Sequence, residues 1–256
     1  LHAATQRFSM EFYIRPFLNR WPSETLARLD AWAEDDNYHV RRLVSEGTRP
    51  RLPWARNIEI APEIPLRFLD RLHADPARYV TRSVANHMND LSKVMPDEVV
   101  ERLRSWQAEG LQHATELGWI TRHALRTAVK RGERGALDLL GYRAGAVQGE
   151  IRVLTPRPRI GDTLRFEVVL TAPEDLPVMV DYRLQFARPT GPAEKVFKLK
   201  TGALKAGVPQ VFAKTHHLKG NATTFRLHPG AHAFTVQVNG RDLARAAFDL
   251  QAAGAG

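Results

Sequence analysis

One short segment of the chain concentrates side chains that could bind a polyanion and act on it. Residues 41–54 contain four arginines, a glutamate and a tryptophan, which are Arg41, Arg42, Arg49, Arg51, Glu46 and Trp54. The planar guanidinium of arginine donates two charge-assisted hydrogen bonds to a phosphate. A tryptophan at a turn can offer its ring to a cation or a base. The segment therefore indicates a site that grips phosphates beside an aromatic ring.

Glu46 is the residue that phosphate binding alone does not explain, because a carboxylate among arginines repels an anionic ligand. Two further carboxylates, Glu11 and Asp90, lie elsewhere in the helical part of the sequence. Spacing leaves two interpretations open. Glu46 pairs with Arg42, four residues earlier, and only orients it, or Glu46 takes part in chemistry. Trp54 has an alternative role as well, as an aromatic residue that closes the end of a helix pair.

The elements that position these residues recur at a spacing of 40 residues. The segments 39–46, 79–86 and 119–126 each begin with a ring, followed by a β-branched aliphatic residue, any residue and an arginine. A period of about 40 in helical sequence is typical of stacked HEAT-like repeats. One helical face is polar and mostly cationic, with Arg42, Glu46, Pro50, Arg82, Asn86, Asp90, Arg122, Arg126 and Lys130. We expect this repeated face to form a groove that holds a polyanion.

Hydrophobic periodicity divides the chain into two regions. Residues 1–144 have apolar residues at helical spacing, and caps and prolines predict helices at 38–48, 76–93, 98–111, 113–131 and 133–140. Asp97 is the expected N-cap of the third of these, and Gly132 the expected C-cap of the fourth. This region is predicted to be a HEAT-like α-helical solenoid.

After Gly145 the apolar residues alternate with period two, in runs at 151–153, 164–170, 178–186 and 234–238. Asn239-Gly240 predicts a two-residue hairpin turn. Glycine and proline punctuation separates about seven strands, which is typical of an immunoglobulin-like β-sandwich. The sequence thus predicts a multidomain α and β chain, with the solenoid at 1–144, the sandwich at 146–251 and a disordered tail at 252–256.

Composition narrows the chemistry that the chain can perform. It contains no cysteine, which excludes thiolate metal sites and cysteine nucleophiles and suits a reducing cytoplasm. No histidine pair has metal-ligand spacing, and Gly-rich phosphate loops are absent, so we expect neither a metal nor a nucleotide cofactor. No apolar run is long enough to span a membrane. The net charge of +9 favours nucleic acid or another anionic surface as the partner.

Four segments, taken in order, give the chain a recognisable resemblance. Residues 11–18, 40–54, 83–90 and 122–127 closely resemble the hallmark segments of the AlkC-type DNA alkylation repair glycosylases, in the HEAT-like repeat superfamily that includes AlkD. Helical repeats followed by an immunoglobulin-like module also resemble one branch of that family. Family members carry more helices before the first of these segments, so we expect this chain to lack N-terminal residues.

The resemblance implies a monofunctional DNA glycosylase of base excision repair, acting as a monomer in the bacterial cytoplasm near the nucleoid. Such an enzyme hydrolyses the N-glycosidic bond of cationic alkylated bases, N3-methyladenine and N3-methylcytosine, in duplex DNA. The resemblance implies that carboxylates stabilise an oxocarbenium-like sugar and orient water. The alternative is a non-catalytic HEAT-repeat scaffold that binds damaged or structured DNA.

Residue roles follow from the same resemblance. Glu46 and Glu11 are the expected catalytic carboxylates, Trp54 the expected ring against the lesion or sugar, and Asp90 a third acid. The candidate DNA-binding residues are Arg42, Arg49, Arg51, Arg82, Asn86, Arg122, Arg126, Lys130 and Arg131.

Six lysines fall in the middle strands and loops of the predicted sandwich, namely Lys195, Lys198, Lys200, Lys205, Lys214 and Lys219. One interpretation is a basic edge that closes on the duplex. The other is an edge strand that lysines protect against aggregation.

Overall fold

The 40-residue period of the sequence becomes a row of neighbouring helices in the computed structural model, which describes residues 1–188, 191, 193–220 and 226–254. The first unit, Leu1–Leu140, lies wholly within the described residues and contains ten helices: α1 (His2–Thr5), α2 (Glu11–Arg20), α3 (Pro22–Trp32), α4 (Tyr38–Gly47), α5 (Leu66–Leu72), α6 (Arg78–Leu91), α7 (Pro96–Glu109), α8 (Ala114–Ala124), α9 (Arg126–Arg131) and α10 (Arg134–Leu139). Helix α4 packs against α6, and α6 packs against α8. This sideways stacking of repeated helices is that of a HEAT-like solenoid.

Apolar residues at helical spacing form the buried faces between these three helices. The fully buried ones include Val40, Leu43, Val44, Val80, Val84, Met88, Ile120 and Ala124. Burying one side chain of this size contributes about 1.5–3 kcal/mol relative to leaving it in water. The apolar stripe of each repeat therefore fixes which face of the helix remains for polar residues.

Several helix ends follow ordinary capping chemistry. The side chain of Asn37 accepts a hydrogen bond from the backbone N–H of His39 at the start of α4. Helices α3 and α7 begin with Pro22 and Pro96, whose missing N–H costs nothing in the first turn. Gly132 ends α9 in the left-handed conformation, as expected.

Several predicted helix boundaries are wrong, including the ends expected at 93 and 111, where the helices end at Leu91 and Glu109, and three of the differences have a local cause. The helix expected at 113–131 is two helices, because the backbone of Leu125, at φ −90° and ψ 0°, breaks it between α8 and α9. Helix α6 begins at Arg78 rather than at 76, because the carboxylate of Asp75 accepts the N–H of Ala77 and holds that residue extended. Helix α7 begins one residue before Asp97, which lies in the first turn, where its charge suits the helix dipole.

The second unit, Gly141–Gly256, contains seven strands in its described residues: β1 (Gln148–Val153), β2 (Thr163–Thr171), β3 (Leu176–Phe186), β4 (Ala193–Leu204), β5 (Gln210–His217), β6 (Gly230–Val238) and β7 (Arg241–Leu250). They form two antiparallel sheets, in the orders β1-β2-β5 and β4-β3-β6-β7. Alternating residues such as Phe166, Val180, Tyr182 and Phe234 form the buried core. The predicted fold class, a helical solenoid followed by an immunoglobulin-like β-sandwich, is confirmed.

The predicted hairpin at Asn239-Gly240 joins β6 to β7. Both residues have positive φ, 46° for Asn239 and 79° for Gly240, as a type I′ turn requires. Of the tail predicted at 252–256, residues 252–254 have no regular structure and residues 255–256 lie outside the described part. In the described residues, no helix is both long and apolar enough to cross a membrane.

The lysines of the sandwich follow two sheet edges. Lys195, Lys198 and Lys200 belong to β4, and Lys214 belongs to β5. Both strands end their sheets. The two interpretations of this basic edge stay predictions.

Gly47 lets α2 approach α4 closely, and we expect Gly47→Ala to destabilise the helical unit. A Cβ at this position would lie 2.5 Å from Cγ2 of Ile14, a buried core residue that has little room to move. The overpacking should cost about 1–3 kcal/mol, measured as the free energy of urea unfolding. Gly118→Ala is the matched control, because its Cβ would meet only the flexible end of Arg122, 3.3 Å away. It should be neutral or stabilising by up to about 1 kcal/mol, and equal destabilisation by both changes would contradict the packing argument.

Candidate catalytic site and nucleic-acid interface

The carboxylate of Glu46 is buried at the C-terminal end of α4, with 6% of the residue exposed. Its Oε1 accepts a hydrogen bond from Nη1 of Arg49, at 2.5 Å. Its Oε2 accepts one from the hydroxyl of Ser83 on α6, at 2.6 Å. Nη2 of Arg42 lies 3.8 Å from the same oxygen. Each carboxylate oxygen therefore has a donor of its own, and the two donors come from different elements.

Arg49 connects Glu46 to a second buried carboxylate. Its Nε and Nη2 lie 2.8 Å and 2.7 Å from Oδ2 of Asp90 on α6. Oδ1 of Asp90 accepts a hydrogen bond from Lys93, at 2.7 Å. Burial alone lowers the pKa of Arg49, but the charges of Glu46 and Asp90 outweigh it and raise that pKa above its usual value. Arg49 is thus a fixed cation between two anions.

Glu11 joins the same cluster through Arg42. Nη1 of Arg42 lies 3.9 Å from Oε2 of Glu11 and donates to the hydroxyl of Ser9 at 2.8 Å, while Ser9 itself bonds to Glu11. The guanidinium also stacks over the ring of Tyr79, 4.5 Å from its centroid. The structure therefore brings together all three predicted carboxylates, from α2, α4 and α6.

Trp54 is exposed, in contrast to the buried carboxylates of Glu46 and Asp90. It lies in the loop between α4 and α5, and 98% of the residue is exposed. Its backbone adopts φ 69°, a left-handed conformation that costs a residue with a large side chain about 1–2 kcal/mol. Because the ring buries almost nothing, the alternative role of closing a helix pair is wrong. The loop instead presents the ring to solvent.

The nine candidate DNA-binding residues fall into two groups. Those with exposed side chains are Arg51, Arg82, Arg122, Lys130 and Arg131. Those engaged within the protein are Arg42, Arg49, Asn86 and Arg126. Asn86 Oδ1 accepts hydrogen bonds from His123 and Arg126, at 2.9 Å and 3.1 Å. Within the first group, Arg131 also donates from Nη1 to the carbonyl oxygen of Lys93, at 3.1 Å, whereas the described residues show no such partner for the other four.

Two buried polar residues that the sequence did not single out complete the site. Ser83 lies beside Glu46, and His87 lies behind Ser45, to whose carbonyl oxygen it donates from Nδ1 at 2.9 Å. Desolvation, with help from the charge of Arg49, lowers the pKa of His87 to about 4, so this ring is neutral near pH 7. The sequence could have indicated both residues through their position in the repeat, because both lie in α6 on the side that meets α4. The described residues contain no group of histidine and carboxylate side chains arranged to hold a metal ion.

Comparisons with known proteins agree with this architecture. A family model described as "Uncharacterised protein YhaZ, C-terminal Ig-like domain" matches residues 148–252. The uncharacterised protein YhaZ of Bacillus subtilis (strain 168) is 36% identical over 248 residues, which cover 94% of this chain and 68% of YhaZ. The alkylpurine DNA glycosylase AlkC of Pseudomonas fluorescens, solved bound to DNA containing an abasic site analog, is 40% identical with a TM-score of 0.87. That match covers 98% of this chain and 72% of AlkC.

The buried neutral His87 makes the stability of the helical unit depend on pH. Its pKa is lowered from 6.5 to about 4, so between these values the unfolded chain binds a proton that the folded chain does not. Burial of the neutral ring thus contributes about 3 kcal/mol to the free energy of unfolding above pH 6.5. This contribution is lost as the pH falls toward 4. Urea unfolding followed by helical circular dichroism at about pH 7 and about pH 5 measures it. His87→Gln should reduce the difference between the two pH values. An identical pH dependence in the wild type and the His87→Gln protein would contradict the assignment.

Proposed function

The chain belongs to the AlkC family, and we propose that it is a DNA glycosylase that hydrolyses the N-glycosidic bond of cationic alkylated bases during base excision repair. The observation that carries this proposal is the cluster of three carboxylates within a solenoid face that also bears exposed arginines. A surface that only bound DNA would gain nothing from Glu11, Glu46 and Asp90. The 40% identity with an alkylpurine DNA glycosylase supports the same reaction class.

The reaction needs stabilisation of the sugar more than protonation of the base. A base that carries a positive charge, such as N3-methyladenine or N3-methylcytosine, leaves as a neutral molecule, so no general acid has to protonate it. As the glycosidic bond breaks, positive charge develops on the sugar. Fixed carboxylates stabilise that charge, and they do so most strongly where water is excluded.

The two glutamates have different roles in this proposal, and the difference follows from their exposure. Glu46 is held by a donor on each oxygen and is nearly buried, which suits a fixed negative charge directed at the sugar. The side chain of Glu11 is 19% exposed, which suits a carboxylate that accepts a proton from the attacking water. Asp90 holds Arg49 in place and contributes to the local negative potential. The hydrolysis releases the free base and leaves an abasic sugar in the strand.

Trp54 is the proposed contact with the lesion. A cationic base or the developing cation of the sugar is attracted to the face of an indole ring, by about 2 kcal/mol when desolvated. The strained, exposed backbone at Trp54 supports this role, because strain of this kind persists where function requires a particular presentation.

The exposed cations are the proposed contacts with the backbone of duplex DNA, bound by one copy of the chain. Arg82 and Arg122 occupy equivalent positions of successive repeats, so they would meet phosphates in register. Arg51, Lys130 and Arg131 extend the same basic surface. We assign Arg49 to holding the carboxylates rather than to a phosphate, because its donors already meet Glu46 and Asp90.

Replacement of Glu46 by glutamine tests the proposed reaction. We expect the wild-type protein to release free base from alkylated duplex DNA, and Glu46→Gln to slow single-turnover release by at least about 100-fold, because a neutral amide cannot stabilise the cationic sugar. The affinity for DNA should stay within a few-fold of wild type. Glu101→Gln is the matched control, since Glu101 is an exposed partner of Arg104 at the same i, i+3 spacing as Glu46 and Arg49. Near wild-type release by Glu46→Gln would refute the catalytic assignment, and DNA binding without any base release by the wild type would favour the scaffold alternative.

Arginine replacements test the proposed phosphate contacts. Arg82→Ala and Arg122→Ala should each weaken binding to every duplex alike and lower the slope of log affinity against log salt concentration by about 0.9. Fluorescence anisotropy over a salt series gives both quantities. Arg104→Ala removes an exposed arginine that is paired with Glu101 on α7 and should leave the slope unchanged. Slopes equal to that of wild type for both repeat arginines would place the DNA elsewhere.

A further inference from the structure

Behind Glu46 lies a buried series of hydrogen bonds, of which the reaction described above uses only the last, from Ser83 to the carboxylate. The series connects His87 to the backbone of Ser45, the hydroxyl of Ser45 to that of Ser83, and Ser83 to Glu46. Exposure is 0% for His87 and Ser45, 2% for Ser83 and 6% for Glu46. The series crosses from α6 to α4 and back, so it joins two successive repeats.

The chemistry of the groups fixes the direction of each hydrogen bond. A carboxylate only accepts, so Ser83 donates its one hydroxyl proton to Oε2 of Glu46, at 2.6 Å. Ser45 must then donate to Ser83, whose Oγ lies 3.0 Å from its own. The carbonyl oxygen of Ser45 accepts from Nδ1 of His87, at 2.9 Å. The two serine hydroxyls therefore donate in the direction of the carboxylate, and His87 donates to the backbone of Ser45.

We propose that Ser83 is the positioning residue for Glu46, fixing the plane and the charge of its carboxylate through this series. The terminal torsion of a glutamate is soft, so a single donor on one oxygen does not set the plane of the group. Arg49 holds Oε1, and Ser83 supplies the hydrogen bond to Oε2, from which Arg42 remains 3.8 Å away. This inference rests on the proposed glycosylase reaction and adds to it a residue from the neighbouring repeat.

Without the Ser83 hydroxyl, Oε2 would lose its close donor. The carboxylate could then rotate toward Arg42 or Arg49, and its charged form would be less favoured. Hydrogen bonds to charged groups of this kind correspond to about 10- to 100-fold in rate. A role in packing alone would lower stability but would not change how the rate depends on pH.

The test is single-turnover base release from duplex DNA carrying N3-methyladenine, measured across a pH series for the whole chain. Ser83→Ala should be about 10- to 100-fold slower than wild type, with its affinity for duplex containing an abasic site unchanged. The acid limb of its pH–rate profile should move to higher pH. Ser83→Thr, which keeps the hydroxyl, should recover most of the rate.

Ser92→Ala is the matched control, because Ser92 is a buried serine at the end of the same helix that donates only to the backbone of Asn89. It should lose stability without loss of rate. If Ser83→Ala does not fold, Ser83→Cys carries the same test, since it keeps the shape and offers a weaker donor.

The outcomes separate the two proposals. Failure of the wild type to release base would overturn the glycosylase proposal, and this inference with it. A normal wild-type rate retained by Ser83→Ala would overturn only the positioning role. So would equal slowing of the Ser83→Ala and Ser92→Ala variants with an unshifted pH profile, or a Ser83→Thr protein that folds but stays slow.

Discussion

The position of Arg49 between Glu46 and Asp90 is the interaction on which the rest of the site depends. Two carboxylates, each 6% exposed, lie on either side of this guanidinium, and a cation between them offsets the cost of burying them. Arg49 supplies that cation from the turn that follows α4, and it contacts Asp90 on α6 at 2.7 Å. The buried pair therefore fixes the spacing of two repeats at the point where their polar faces meet. It also keeps negative charge beneath a surface that is otherwise basic.

This arrangement separates two kinds of arginine that composition alone cannot distinguish. Arg42 and Arg49 are held by carboxylates and shape the charge of the site. Arg82 and Arg122 remain exposed and are available to a phosphate backbone. We propose that the net charge of +9 attracts the chain to a polyanion, and that the few buried anions act on that polyanion once it is bound.

The sequence predicted much of the fold, because residues at equivalent positions of the apolar repeat are also buried at equivalent positions in the structure. The 40-residue spacing places Val40, Val80 and Ile120 at equivalent buried positions, and Asn239-Gly240 adopts the turn that its chemistry favours. The site was less accessible to sequence reasoning. The contact of Ser83 with Glu46 depends on the rotation of α6 against α4, which no single helix specifies. The left-handed backbone of Trp54 has no sequence signal, since tryptophan does not favour positive φ. Likewise, whether Arg49 turns inward or outward depends on Asp90, which comes from the next repeat.

Direct detection of the released base tests the central claim, that the buried carboxylates serve bond cleavage rather than DNA binding alone. Alkylated duplex DNA would be incubated with the wild-type chain, and the small-molecule fraction analysed by mass spectrometry alongside the intact strands. We expect free alkylated base in that fraction and an unbroken strand that carries an abasic site. A protein that binds the same duplex tightly, while every alkylated base stays attached to its sugar, would contradict the claim.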